Sequence, residues 1–80
     1  MKNILIIYGG NSYEHDISCM SAENVCKCLK NLNCTFDKIH ISKENRWYIV
    51  KNKSEVEIFN IIDFIKKYDL IFPIISSEHP

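Results

Sequence analysis

The run Ile4-Leu5-Ile6-Ile7-Tyr8, closed by Gly9-Gly10, constrains this chain more than any other feature. It is apolar without alternation, which is the pattern of a strand covered on both faces, as in parallel sheets. The glycine pair ends it in a turn. A strand buried on both sides needs a layer above and a layer below, so the expected architecture is a three-layer α/β domain built on a mainly parallel sheet. Fourteen isoleucines among 80 residues supply the β-branched side chains such a sheet needs. The length gives one domain, residues 1–80, and a chain this small buries only roughly 60% of its unfolded surface, so its stability margin is thin.

The rest of the chain reads in the same register. Asn11 to Asp16 is a polar loop. A helix is expected from about Ser18 to Leu32, because Ala22, Val25, Cys26, Leu29 and Leu32 recur at helical spacing. Asp16 and Ser18 are both able to cap its start, and Asn31-Leu32-Asn33 closes it, asparagine tolerating the left-handed conformation. Thr35 to Ser42 alternates and reads as a strand parallel to the first, completing a βαβ unit. Lys43-Glu44-Asn45 is a turn, and Arg46 to Val50 is a short strand. Lys51 to Ser54 is polar and exposed, and Glu55 to Lys67 is expected to be a helix. Asp69 to Ile75 is a strand whose Pro73 belongs at an edge or an end, since proline donates no ladder hydrogen bond. Ser76 to Pro80 is a polar tail.

Charge narrows the function classes. Ten basic residues balance ten acidic ones, and nine of the basic residues are lysine. No charge surplus points to nucleic acid or to an anionic membrane as partner. No apolar stretch approaches the ~20 residues of a membrane helix, and Ile4 to Tyr8 is shorter than the about 7–15 residues of a secretory signal core. A cytoplasmic location with reduced thiols is expected. Cys19, Cys26, Cys28 and Cys34 form no CxxC pair, so the usual zinc and thioredoxin spacings are absent, and no metal is expected. Cys19 and Cys26 share one helical face and are expected to fill the core, while Cys28 faces away. His15 and His40 read as single surface or partly packed histidines. Glu14, His15 and Asp16 are adjacent and cannot converge on one ion without help from elsewhere in the chain.

In an open α/β sheet, ligands bind beyond the carboxyl ends of the strands, which here means Gly9 to Asp16 and the residues after Ile75. The stretch is neither GxGxxG nor a P-loop, although a helix start accepts phosphate on general grounds. Glu14 stands in that loop. It either grips an ammonium group on a small ligand or, with Asp16, complements the helix dipole in solvent. Tyr13 lies at the same mouth, as a substrate contact or a surface aromatic.

The string Gly9-Gly10-Asn11-Ser12-Tyr13-Glu14-His15-Asp16-Ile17-Ser18, followed by Ser21-Ala22, resembles the opening signature of the D-alanine–D-alanine ligase family. The Glu-His-Asp form is similar to ligases of the vancomycin-resistance type, which make D-Ala–D-Ala, D-Ala–D-Ser or D-Ala–D-lactate. Ile41 to Tyr48 resembles the family's apolar strand followed by Lys-x-Gly and x-Trp, and Asp69 to Ile75 its strand leading into Leu-His-Gly. The resemblance spans residues 3 to about 75 and implies a Rossmann- or flavodoxin-like domain that precedes ATP-grasp domains. It implies that Glu14 holds the ammonium group of the first D-alanine, that Ile17 lines the same small pocket, and that Ser18 follows in the motif. Tyr13 would flank the pocket, and the partner would be D-alanine or a similar small amino acid, weakly held. ATP and magnesium would bind in later domains, so these residues carry no cofactor, no complete catalytic set and no turnover of their own. Two departures stand out: Ser76-Ser77 replaces the family's His-Gly, and Glu78-His79-Pro80 follows as a divergent tail. The tail reads like a truncation or an altered reading frame after Ile75, which would leave the pocket half formed. The rival readings are a stand-alone flavodoxin-like binding module and a non-catalytic remnant that forms a homodimer.

Overall fold

The computed structural model describes residues 3–10 and 15–74. Seven elements follow in chain order: β1 (Ile4–Gly9), α1 (His15–Asn31), β2 (Phe36–Ile41), β3 (Trp47–Lys51), β4 (Ser54–Glu57), α2 (Ile61–Ile65) and β5 (Leu70–Ile74). They form one five-stranded sheet in the order β4-β3-β2-β1-β5. Strand β1 is central to the parallel part, pairing with β2 on one side and β5 on the other. Pro73 lies in β5, an edge strand, where a missing donor costs no ladder bond on the open side.

The continuous apolar run feeds two cores. Leu5 and Ile7 point to one face and join Ile39, Ile41 and Ile49, with Phe64, Ile65 and Tyr68 from around α2 packed against them. Ile4 and Ile6 point to the other face and join Ala22 and Cys26 of α1, with Val25 and Leu29 alongside. Helices therefore cover opposite faces, and the three-layer α/β arrangement follows from the alternation of one strand.

Two expectations are corrected. The sheet is mixed rather than mainly parallel, because β3 runs antiparallel to β2 and β4 antiparallel to β3. The helix expected over Glu55 to Lys67 is replaced by strand β4 and a five-residue helix α2. Glu55-Val56-Glu57-Ile58 alternates with period two. Once Asn52 turns the chain at φ 53, this segment pairs Val56 with Ile49. The segment Lys51 to Ser54 is thus the tight turn of a hairpin. What remains helical starts at Asn60, whose side chain accepts from the Asp63 N–H and donates to the Asp63 carboxylate.

Helix α1 begins earlier than expected, at His15, so Asp16 and Ser18 lie within its first turn and neither is the N-cap. Its other end matches expectation. Asn33 has φ 58, Cys34 N–H bonds the Leu29 carbonyl at 2.9 Å and Asn33 N–H bonds the Lys30 carbonyl at 3.0 Å. This is the paired-bond closure that a left-handed residue makes possible.

Candidate functional site

The carboxyl end of β1 is where the chain gathers its polar side chains. Gly9 and Gly10 both have positive φ, 100 and 104, and the Gly10 N–H bonds the Ile41 carbonyl at 2.8 Å. A Cβ on Gly9 would collide with the Ile41 carbonyl oxygen and press on the rings of His40 and His15. Glycine is required here by the close approach of these groups as well as by the backbone angle.

Ser18 is buried, and its hydroxyl ties three elements together. It accepts from the Gly9 N–H at 2.9 Å and donates to the Ile74 carbonyl. The end of β1, the first turn of α1 and the end of β5 are held at one point. Ile17 is 58% exposed on the same turn. Tyr13 and Glu14 lie outside the described residues, as do Ser76-Ser77 and the rest of the tail.

The histidines are not isolated. His15 is buried at 8% exposure, a correction to its reading as a surface or partly packed residue. Its Nδ1 lies 2.6 Å from the Gly10 carbonyl, and its Nε2 lies 3.2 Å from Nε2 of His40. The far side of His40 pairs through Nδ1 with the Glu55 carboxylate at 3.1 Å. A carbonyl and an ionised carboxylate only accept, so each Nδ1 is the donor there and the two Nε2 atoms are left facing each other. Tyr8 stacks on His40 with ring centroids 5.3 Å apart. Burial pushes the Tyr8 phenol up to about 12, so this ring stays neutral.

These side chains end a cleft of about 360 Å³ between α1 and the sheet, lined among others by Tyr8, Cys19, Lys38, His40 and Glu55. Burial, reinforced by Asp16, raises the Cys19 thiol above its ordinary value. All four cysteines are free, Cys26 buried and Cys28 exposed, as their places on α1 require. His40 and Glu55 were invisible to sequence reasoning as a pair. Alternation alone puts His40 on the polar face of its strand, and the pattern from Glu55 to Lys67 predicts a helix.

The family model described as D-ala D-ala ligase N-terminus matches residues 3–70. The chain belongs to the D-alanine–D-alanine ligase family. It corresponds to the N-terminal domain of those ligases. The D-alanine–D-alanine ligase of Staphylococcus haemolyticus is 32% identical over 98% of this chain and 27% of its own length. That of Staphylococcus saprophyticus is 33% identical over 86% of this chain and 19% of its own. The crystal structure of the VanG D-Ala:D-Ser ligase from Enterococcus faecalis superposes with a TM-score of 0.72 at 25% identity, covering 94% of this chain and 29% of that one. The chain thus spans about a quarter of the length of the ligases it matches. In the ligase-family segment of Lys-x-Gly, Asn45 takes the glycine's place with φ 65, a conformation asparagine accepts among side-chain-bearing residues.

Proposed function

We propose that this domain presents the first amino-acid substrate in an ATP-dependent ligase of cytoplasmic peptidoglycan precursor synthesis, joining D-alanine to D-alanine, D-serine or D-lactate. Glu14 is the residue that grips the ammonium group of the first D-alanine, with Ile17 and Tyr13 beside it. The observation that carries this reading is the Ser18 tie. By joining Gly9, the first turn of α1 and Ile74, it holds the start of α1, which Glu14 directly precedes in the sequence, at the carboxyl ends of two neighbouring parallel strands, where α/β sheets bind ligands. A carboxylate at the start of a helix, facing a small ammonium, forms a charge-assisted hydrogen bond without large rearrangement.

In this reading, phosphorylation of the first D-alanine's carboxylate and attack on the acyl phosphate by the second substrate use groups beyond these 80 residues. ATP and magnesium belong to that other part of the ligase. The chain by itself is therefore expected to bind D-alanine weakly and to release no phosphate from ATP.

Calorimetric titration of the 80-residue chain in chelator with D-alanine, L-alanine and nucleotides tests this. Binding of D-alanine that disappears in Glu14→Gln supports the assignment. Binding of nucleotide without amino acid, or phosphate release from ATP with D-alanine, would overturn it.

A further inference from the structure

We propose that His15, His40 and Cys19 form a binding site for a borderline-soft divalent cation of the zinc class. The site is separate from the substrate role assigned to Glu14 and does not depend on it. One ring nitrogen each of His15 and His40 and the Cys19 Sγ all lie within 4.8 Å of one another. They come from the first and second turns of α1 and from β2, so the cluster exists only in the folded chain.

Three observations point to a cation. The first is the direction of the ring nitrogens. With His15 Nδ1 turned to the Gly10 carbonyl and His40 Nδ1 to the Glu55 carboxylate, the two Nε2 atoms face each other at 3.2 Å. Such a contact needs a positive centre within it, either a proton that one Nε2 donates to the other or a metal ion that both coordinate. The second is the spacing. Zn–N bonds of about 2.0–2.1 Å at the tetrahedral angle put two nitrogens roughly 3.3–3.4 Å apart, which is the separation seen here to within about 0.2 Å. The third is the outer shell. Metal-bound histidines almost always donate their second N–H to a carbonyl or carboxylate, and both partners are already in place.

Cys19 Sγ completes a three-ligand set, and the cation would stabilise its thiolate. Cys19 and His40 both line the cleft, from which water or a ligand atom would supply the fourth position of the tetrahedron. Two imidazoles and a thiolate select zinc-like ions over magnesium or calcium, which require oxygen ligands. A bound ion would pin the start of α1 to β2 and, through Glu55, to β4.

The test is a titration of the metal-stripped full chain with Co²⁺ as a spectroscopic stand-in, in a non-thiol reductant, followed by displacement with Zn²⁺. The expected result is one Co²⁺ per chain with tetrahedral d–d absorption and a thiolate-to-cobalt charge-transfer band. Zinc displaces it and raises the melting temperature. Cys19→Ser loses the charge-transfer band. Glu55→Gln, which removes only the outer partner of His40, weakens binding by about 10–100-fold. Cys28→Ser leaves the spectrum unchanged. Failure of the folded wild-type chain to take up Co²⁺ at stoichiometric concentration overturns the proposal. So does a charge-transfer band that survives in Cys19→Ser, since it would place the ion on another cysteine.

Discussion

Single residues at the end of β1 carry more of this structure than their size suggests. Gly9 is surrounded by the Ile41 carbonyl and the two imidazoles, and its backbone has φ 100. Gly9→Ala adds the cost of a left-handed side chain to that of overpacking, together about 2–5 kcal/mol. In a domain whose total stability is of order 0.05–0.15 kcal/mol per residue, or about 4–12 kcal/mol for 80 residues, that is a large share of the margin. Urea unfolding followed by circular dichroism should show a large fall in midpoint. A midpoint within error of the wild type would mean that the strand end relaxes without loss. Ser18 belongs to the same scale. Its place in the family motif suggested a role at the helix start, and its hydroxyl instead joins two strand ends from inside the first turn.

The elements were legible where local chemistry decides them. Strand β1, its glycine stop, the α1 stripe from Ala22 to Leu29 and the asparagine closure of α1 all follow from residue type and spacing, whereas Leu32 falls past the helix end and is exposed. The closure invites a test at the scale of the helix. Asn33 holds φ 58 while the neighbouring amides bond back into the last turn. Asn33→Ala is expected to destabilise by about 1 kcal/mol, and Asn33→Gly to be neutral or stabilising. Equilibrium denaturation with an unchanged m-value is the measurement, and equal stability of the Ala and Gly variants would remove the left-handed argument. The hairpin β3–β4 was not legible, because Val56 and Ile58 fit a helical stripe as well as an alternating strand. Ile49, waiting to pair with Val56, settled the matter from outside the segment.

For the molecule as a whole, Tyr68 links the chain after α2 to β2 through a 2.7 Å hydrogen bond to Asp37. Burial, and then this bond, raise its phenol well above the ordinary 10.0. A group whose folded pKa is raised contributes stability that is complete below the unfolded value and lost as pH climbs toward the folded one. Stability should therefore hold up to about pH 10 and fall above it as the unfolded chain sheds the Tyr68 proton first. Tyr68→Phe should make that alkaline decline shallower in melts across pH 9–12, a range of about three units around the ordinary tyrosine value. A decline of unchanged steepness would assign it to other groups. Tyr8, raised to about 12 by burial, acts in the same direction and remains in the variant.

The amino-acid sequence alone determined the βαβ start, the two-sided burial of β1, the helix closure and the family, because each rests on contacts between near neighbours or on one contiguous motif. Tertiary structure alone decided that His15, Cys19, His40 and Glu55 share one corner of the domain. Residues up to 40 positions apart meet there only because parallel pairing sets Tyr8 beside His40 and the β3 hairpin returns Glu55 to the same face. Strand register is a property of the assembled sheet, and no periodicity within one segment encodes which side chains it will bring face to face.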